Sequence, residues 1–380
     1  MLKNKGILTI DLDAVVHNYN VLRQQAAPGA RVAAVVKANG YGLGSVEIGK
    51  VLARAGCRDF FVSSFEEGLV LRASLKEPRI FVLNGFYGSV AEAYPEHNLI
   101  PALGSFLEIE DYRKLAAKLG RKLDTYLSFN IRMNRLGLGK VETEKLVSDK
   151  GLLEGLNIVG ILSHFASADE KDNPLSDEQH EIFEKIARHF PGAEKSLANS
   201  FGTFRSKKYH YDLLRPGMAL YGLNPTPGAP NPMRRVVSLN LPVMQLRTIY
   251  AGAGVGYGMT WTAEKDTLLA TVAAGYADGI FRSLSNKGAL YWNGIRCPIR
   301  GRVSMDLTTV DISGVPEKKR PRPGDMMELI GEHQSVDELA HDAGTIGYEV
   351  LTDLGHRYER IYVGDTMRMS GGRSASASGA

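Results

Sequence analysis

Cysteine is almost missing from this chain of 380 residues. Cys57 and Cys297 are the only two, and they lie far apart. That excludes a disulfide scaffold and any cysteine-based metal spacing, so no metal is expected. A strong charge of one sign is missing too. The 46 basic and 42 acidic residues leave a net +4, which selects no acidic or basic partner. No basic run is interleaved with aromatics, so nucleic acid is not expected as the ligand. The nearest stretch, "PEKKRPRPGD" at 316–325, reads as a solvated turn because of its prolines and Gly-Asp. No apolar run is long enough to cross a bilayer. The N-terminal "MLKNKGILTIDLDAVVHNY" lacks the apolar core of a signal peptide, so the cytosol is the expected location. The last stretch, 370–380, is small and polar and cannot bury a core. It is expected to be a disordered tail or linker.

What is present is an ordinary apolar fraction, 44%, arranged in two textures. From about residue 12 to 232, short apolar runs alternate with amphipathic stretches. Expected strands begin at 32 ("VAAVV"), 59, 79, 99, 123, 158, 195 and 218 ("MALYGL"). Helices are expected over about 13–26, 105–120 and 176–190, the last with Ser176 and Gln179 as a capping box. Each crossover between parallel strands needs a helix, and about eight such units predict a (β/α)₈ barrel. A doubly wound sheet gives a similar string. From 233 to 369, strand-like runs are separated by Gly, Pro, Asn and Asp, and Asn293-Gly294 is a hairpin signal. This predicts a mainly antiparallel β domain, with a short helix capped by Ser335. Residues 1–11 carry one more strand, "ILTIDL", expected to pair with that domain.

"VAAVV" ends on Lys37, followed by Gly40, Tyr41, Gly42 and Gly44. Barrel chemistry sits at the C-terminal ends of strands. Apolar walls there lower an ammonium's pKa and make it nucleophilic, which suits Schiff-base chemistry. A lysine snorkelling to the rim is the plainer reading. The glycines favour the first, since they let backbone pass close to a flat ligand.

The stretch "AVVKANGYGLG" resembles the pyridoxal-phosphate lysine motif of alanine racemases. Six further blocks follow in that family's order: "SHFASADE", "RPGMALYG", "GVGYGMTW", "AAGYADG", "GRVSMD" and "TIGYEVL". The resemblance implies a (β/α)₈ barrel followed by a β domain, with pyridoxal 5'-phosphate on Lys37. It implies racemisation of alanine by two acid/base groups, Lys37 and the Tyr257 of a partner subunit in a homodimer. Phenols are poor bases at neutral pH, so Tyr257 needs a partner, and His164 matches the residue that orients it. Arg215 matches the arginine that faces the pyridine nitrogen. An arginine keeps its protons, so the ring nitrogen stays unprotonated and the electron sink is weaker. Asn199, Ser200, Gly217, Met218, Tyr41 and Tyr348 match the phosphate neighbours. The Met305 N–H matches the donor to the substrate carboxylate, and Arg135 matches an arginine near the cofactor's phenolic oxygen. Asp306, Tyr276 and Arg282 match residues lining the entrance from the other subunit. A gate of Tyr276 and Tyr348 would favour a methyl side chain.

One segment departs from the family. Where it often reads "KxDTGMxRLG", this chain has "SFNIRMNRLG", with Ser128, Asn130, Ile131 and Arg132 as replacements. No carbamate can form on a serine. Arg135 is therefore braced by Asn130, by a bound anion, or by neither. The family role implied is supply of D-alanine for bacterial peptidoglycan. A broader racemase acting on serine, a related barrel decarboxylase and a non-catalytic cofactor carrier are the alternatives.

Overall fold

The structure, a computed structural model, describes residues 5–364. The expected tail at 370–380 lies outside the described residues. Two compact units divide the chain, one from Val15 to Arg234, the other joining the residues up to Ala14 with those from Arg235 onward.

In the first unit, seven parallel strands run in sequence order: Ala34–Val35, Asp59–Val62, Arg79–Val82, Leu99–Leu103, Leu123–Ser128, Leu156–Leu162 and Glu194–Ser196. Every neighbouring pair is parallel. Leu213–Leu214 then pairs with Arg31–Val32, the start of the first strand. Its flanks bond back to the preceding strand, Asp212 N–H to Lys195 O at 3.1 Å and Arg215 N–H to Ala198 O at 2.9 Å. The sheet therefore closes on itself, which is the barrel. Its interior is apolar and aromatic, with Phe61 stacked on Phe81 at 4.6 Å between centroids. At the N-terminal mouth, strand-starting residues form a charged layer. Asp59 pairs with Arg31 at 3.3 Å and Arg79 at 2.6 Å, and both arginines also meet Glu194. That end is plugged by ion pairs, which leaves the opposite end for chemistry.

Two expectations need correction. "MALYGL" is not a strand. Met218–Tyr221 is a 3-10 turn, buried throughout, and the last strand ends earlier at Leu214. A short apolar run cannot by its pattern tell a buried strand from a buried turn. Ser176 is also not a cap. The helix is Leu175–Ala187, Ser176 lies inside it, and its hydroxyl donates to Ser167 O at 3.3 Å. Gln179 is drawn elsewhere, as described below.

The second unit is a mainly antiparallel sheet around the long strand Val237–Ile249. That strand pairs with Ile7–Asp11, Thr267–Val272 and Met326–Ile330. Ile7–Asp11 also pairs in parallel with Glu359–Val363, so the N-terminal strand does join this sheet. Asn293 and Gly294 take φ of 48° and 80° and connect Ala289–Trp292 to Ile295–Pro298, as a two-residue hairpin requires. Helix Val336–Ala343 is capped by Ser335 and Glu338.

Candidate active site

Lys37 ends the first barrel strand and starts a turn of unusual hand. Ala38, Asn39, Gly40 and Tyr41 all have φ between 50° and 64°. L-residues other than glycine avoid this region by roughly 1–2 kcal/mol each, so the surroundings must hold it. Gly42 and Gly44 follow at φ of 80° and 101°. The glycines thus serve the left-handed backbone itself. Asn39 Oδ1 accepts the Ser45 N–H at 3.1 Å, which anchors the turn's exit. Burial lowers the Lys37 ammonium's pKa, Arg135 lowers it further, and Glu67 opposes both.

Four other strand ends surround this one. Arg215 follows Leu213–Leu214 and is 4% exposed. It donates to Ser196 Oγ and to Ser163 O, and lies 5.8 Å over the Phe61 ring. Burial pulls its pKa down to about 10, so it stays charged at neutral pH. His164 follows Leu156–Leu162. Burial, then the positive charges of Arg215, Lys37 and Arg135, push its pKa down to about 3. Its ordinary value is 6.5, so the folded chain holds it neutral. As pH falls from that value toward the folded one, the unfolded chain gains a proton that the folded chain refuses, and stability is lost. The His164 ring resonances in NMR should therefore not titrate between about pH 5 and 8, and a midpoint inside that window contradicts the arrangement.

Ser200 and Gly217 form a small cradle. Ser200 Oγ accepts from Gly217 N–H at 3.1 Å and Ala219 N–H at 3.3 Å. Asn199 caps the helix Ser200–Arg205, accepting the Gly202 N–H at 2.9 Å. A Cβ on Gly217 would sit 2.2 Å from the Tyr41 hydroxyl, so only glycine lets that phenol reach the loop leading to Met218. Tyr41 packs on Tyr221 at 4.5 Å.

Arg135 is exposed. Asn130 does not brace it, because its side chain is paired with Asn134 at 3.0 Å and accepts the Asn134 N–H at 2.9 Å. Arg135 has no ion pair among the described residues. The neighbouring Arg132 pairs with Glu178.

The remaining expected residues lie in the β unit. Tyr257 opens a 3-10 turn between Gly256 and Gly258, at φ of 69° and 70°, and is 73% exposed. Met305 is 53% exposed, and its N–H has no intramolecular acceptor among the described residues. Tyr276 N–H and Ala277 N–H bond to Ser304 O and Met305 O, each at 3.0 Å, which fixes the Met305 loop against the Tyr276 turn. Arg357 ties them again, bonding Asp306 at 2.7 Å and Asp278 at 2.7 and 2.8 Å. Tyr276 and Arg282 line one hollow with Asp353. Tyr348 is on helix Gly347–Thr352, its carbonyl accepting from Thr352 Oγ1 at 2.9 Å.

Three residues outside the expected site set also shape it. Gln179 is fully buried. It donates to Ile131 O at 2.8 Å and His164 O at 3.3 Å and accepts the Ala166 N–H at 3.0 Å. It thereby joins the His164 loop to the loop that carries Arg135. Glu67 bonds the Lys37 turn, and its Ser64-x-x-Glu67 pattern was a readable signal. Arg357 had none.

The profile "Alanine racemase, N-terminal domain" matches residues 10–225, and "Alanine racemase, C-terminal domain" matches 236–362. The chain is 45% identical to the catabolic alanine racemase of Agrobacterium fabrum, over 94% of this chain and 92% of that one. It is also 45% identical to the alanine racemase of Rhodospirillum rubrum, over 94% and 96%. Among solved structures it is similar to alanine racemase from Bartonella henselae with covalently bound pyridoxal phosphate. The TM-score is 0.91 at 41% identity, covering 95% of this chain and 100% of that one. The biosynthetic alanine racemase of Pseudomonas aeruginosa gives 0.88 at 34%, over 95% and 100%. With both profiles matched in order along these two units, the chain belongs to the alanine racemase family and is an amino-acid racemase, an isomerase.

Proposed function

We propose that this enzyme interconverts L- and D-alanine, with Lys37 and the Tyr257 of a second copy on opposite faces of the substrate. The observation that carries the reading is the setting of Lys37: a partly buried amine of lowered basicity at a barrel mouth, beside a neutral imidazole and a buried guanidinium.

The residues present fit pyridoxal phosphate. An aldehyde calls for an amine, supplied by Lys37. A phosphate calls for donors, supplied by the hydroxyl of Ser200, whose oxygen is oriented by the Gly217 and Ala219 N–H groups, and by the Tyr41 phenol. A pyridine nitrogen calls for a donor, supplied by Arg215. Asn199, Met218 and Tyr348 complete the proposed cofactor contacts. When bound, the cofactor supplies an electron sink for the pair left as the α-proton departs.

The protein's own part is proton transfer and positioning. Lys37 Nζ takes or returns the α-proton on one face, and Tyr257 Oη does so on the other. Racemisation needs both, because the proton must leave one face and arrive on the opposite one. His164, held neutral, can accept a hydrogen bond from Arg215 while its other nitrogen orients the phenol. Arg215 remains cationic, keeps the ring nitrogen unprotonated and so disfavours proton return away from Cα. The Met305 N–H and Arg135 hold the substrate carboxylate and cofactor edge, and Asp306 with Tyr276 shapes the approach. Exposed Tyr257, Met259 and Met305 support a homodimer with shared sites, since large apolar side chains of this kind mark contact surfaces.

Enantiomers have equal free energies, so the site does not set a direction. We assign the chain to the cytosol and to D-alanine supply for peptidoglycan. Relatives named catabolic would use the same reaction in the other sense. Incubation of the enzyme with single L-amino acids and pyridoxal phosphate, followed by chiral analysis, tests the reading. Alanine should racemise fastest and serine more slowly, since a small steric difference is worth about 1–3 kcal/mol. Release of CO₂ without D-product would replace racemase with decarboxylase. Growth of a D-alanine auxotroph carrying this gene tests the cellular role.

A further inference from the structure

Two glutamates occupy equivalent places in two helices of the barrel. Glu67 and Glu108 are each the third residue of a helix capped by a serine, Ser64 and Ser105. In a serine–x–x–glutamate box the glutamate ordinarily turns back to the cap residue's own N–H. Here each instead takes the N–H one residue before its cap with one oxygen and reaches the loop of the preceding strand with the other, Glu108 also accepting from its cap's Ser105 Oγ at 3.0 Å. Glu108 accepts from Phe86 N–H at 3.1 Å and Gly104 N–H at 2.8 Å, lacing the loop after one strand to the end of the next. The lacing is close, for a Cβ on Gly85 would fall 1.8 Å from its carboxylate. Glu67 makes the same bridge at another pair of strands, accepting from Ala38 N–H at 2.6 Å and Ser63 N–H at 2.8 Å. What differs is the cargo of the laced loop: Ala38 directly follows Lys37.

We propose that Glu67 is the positioning residue for Lys37, fixing the left-handed turn from which that amine projects; this rests on the reading of Lys37 given above. The Ala38 N–H stands at the start of that turn, where the first amides have no partner within it. The turn also runs through non-glycine residues that disfavour its hand, so an outside anchor is needed. A carboxylate is suited to two converging N–H groups, because it offers two acceptor oxygens and no donor. A glutamine of the same shape offers one acceptor and sets a donor against the other N–H. Glu67 also supplies the counter-charge. Of the groups acting on Lys37, Arg135 opposes its charge, His164 is neutral, and Glu67 favours it.

The test compares full-length wild type, Glu67→Gln and Glu108→Gln by two readouts that do not depend on turnover. The first is hydrogen exchange resolved to the peptide 36–43 on the chain as purified. A hydrogen bond to a charged group is lost in Glu67→Gln, so exchange at Ala38 should rise about tenfold or more. Glu108→Gln should leave that peptide unchanged and loosen 84–88 instead. The second is the pH dependence of Lys37 acetylation by acetic anhydride on cofactor-stripped chain. Losing an anion beside an ammonium lowers its pKa, so the midpoint should move to lower pH in Glu67→Gln and stay put in Glu108→Gln. Equal exchange and equal midpoints in Glu67→Gln and wild type overturn the proposal. Should Glu67→Gln not fold, the wild type decides alone: an Ala38 amide that exchanges as fast as in an unstructured peptide overturns it, and a protected one supports it. A wild type that racemises nothing would sink the proposed reaction while leaving these two readouts intact.

Discussion

Lys37→Ala should reduce alanine racemisation by at least about 10⁴-fold, because the proposed reaction gives this one side chain two jobs. In the proposed reaction it is both the amine that holds the cofactor's aldehyde and the acid/base group on one face. A positioned acid/base group alone is worth about 10²–10⁴-fold, and the covalent role adds to that. The fold should survive. Lys37 is only partly buried, and the turn that follows is held by bonds to the Ala38, Gly40 and Ser45 amides that alanine leaves in place. The measurement is borohydride reduction with added pyridoxal phosphate, followed by peptide mass analysis. Wild type should gain the cofactor's mass on the peptide containing Lys37, and the variant should gain none there. A variant that still racemises at more than a hundredth of the wild-type rate, or a wild type labelled at another lysine, removes Lys37 from the mechanism.

Tyr257→Phe gives the second-largest effect, and a more specific one. Racemisation should fall by about 10²–10⁴-fold, while stability changes by no more than about 0.5 kcal/mol, as for an exposed position. The phenol is 73% exposed and its hydroxyl makes no bond within the chain among the described residues. The sharper readout is in D₂O. With Lys37 intact, the enantiomer whose Cα–H faces that amine should still exchange its α-proton for deuterium without inversion. The other enantiomer should exchange very slowly. Equal loss of exchange in both, or unchanged racemisation, rules out acid/base groups on opposite faces. Mixing Tyr257→Phe with Lys37→Ala chains offers a further consequence. If the two residues meet only across copies, a mixed dimer carries one site with both groups intact, and activity reappears.

Much of this was open to reading in the sequence, for reasons that are local. The parallel order of the barrel strands follows from apolar runs separated by helical stretches. The Asn293-Gly294 hairpin follows from two residues that tolerate positive φ, and the Ser335 cap from a serine before an amphipathic stretch. Lys37 stood out because a charge ends a buried strand. Met218–Tyr221 looked like a strand because its residues are all apolar. They are apolar because the turn is wrapped on every side, and burial from all directions erases the alternation that distinguishes the two. Gln179 looked like a cap partner because of its spacing from Ser176. In the fold its amide is taken by Ile131, His164 and Ala166, which are distant in sequence. Asn130 was a candidate brace for Arg135, and its own neighbour Asn134 claims it.

By itself the sequence determined which residues could do chemistry and roughly which element each would sit on, because strand and helix periodicity, caps and turns are settled by neighbours a few positions away. Tertiary structure alone decided the hand of the turn after Lys37, the neutrality of His164, and which carboxylates lace one strand end to the next. Those depend on groups brought together by barrel closure: three cations converging on one imidazole, and a glutamate 29 positions down the chain reaching back to an amide. Solvation and charge act through space, and no count along the chain reports which charges will share a cavity.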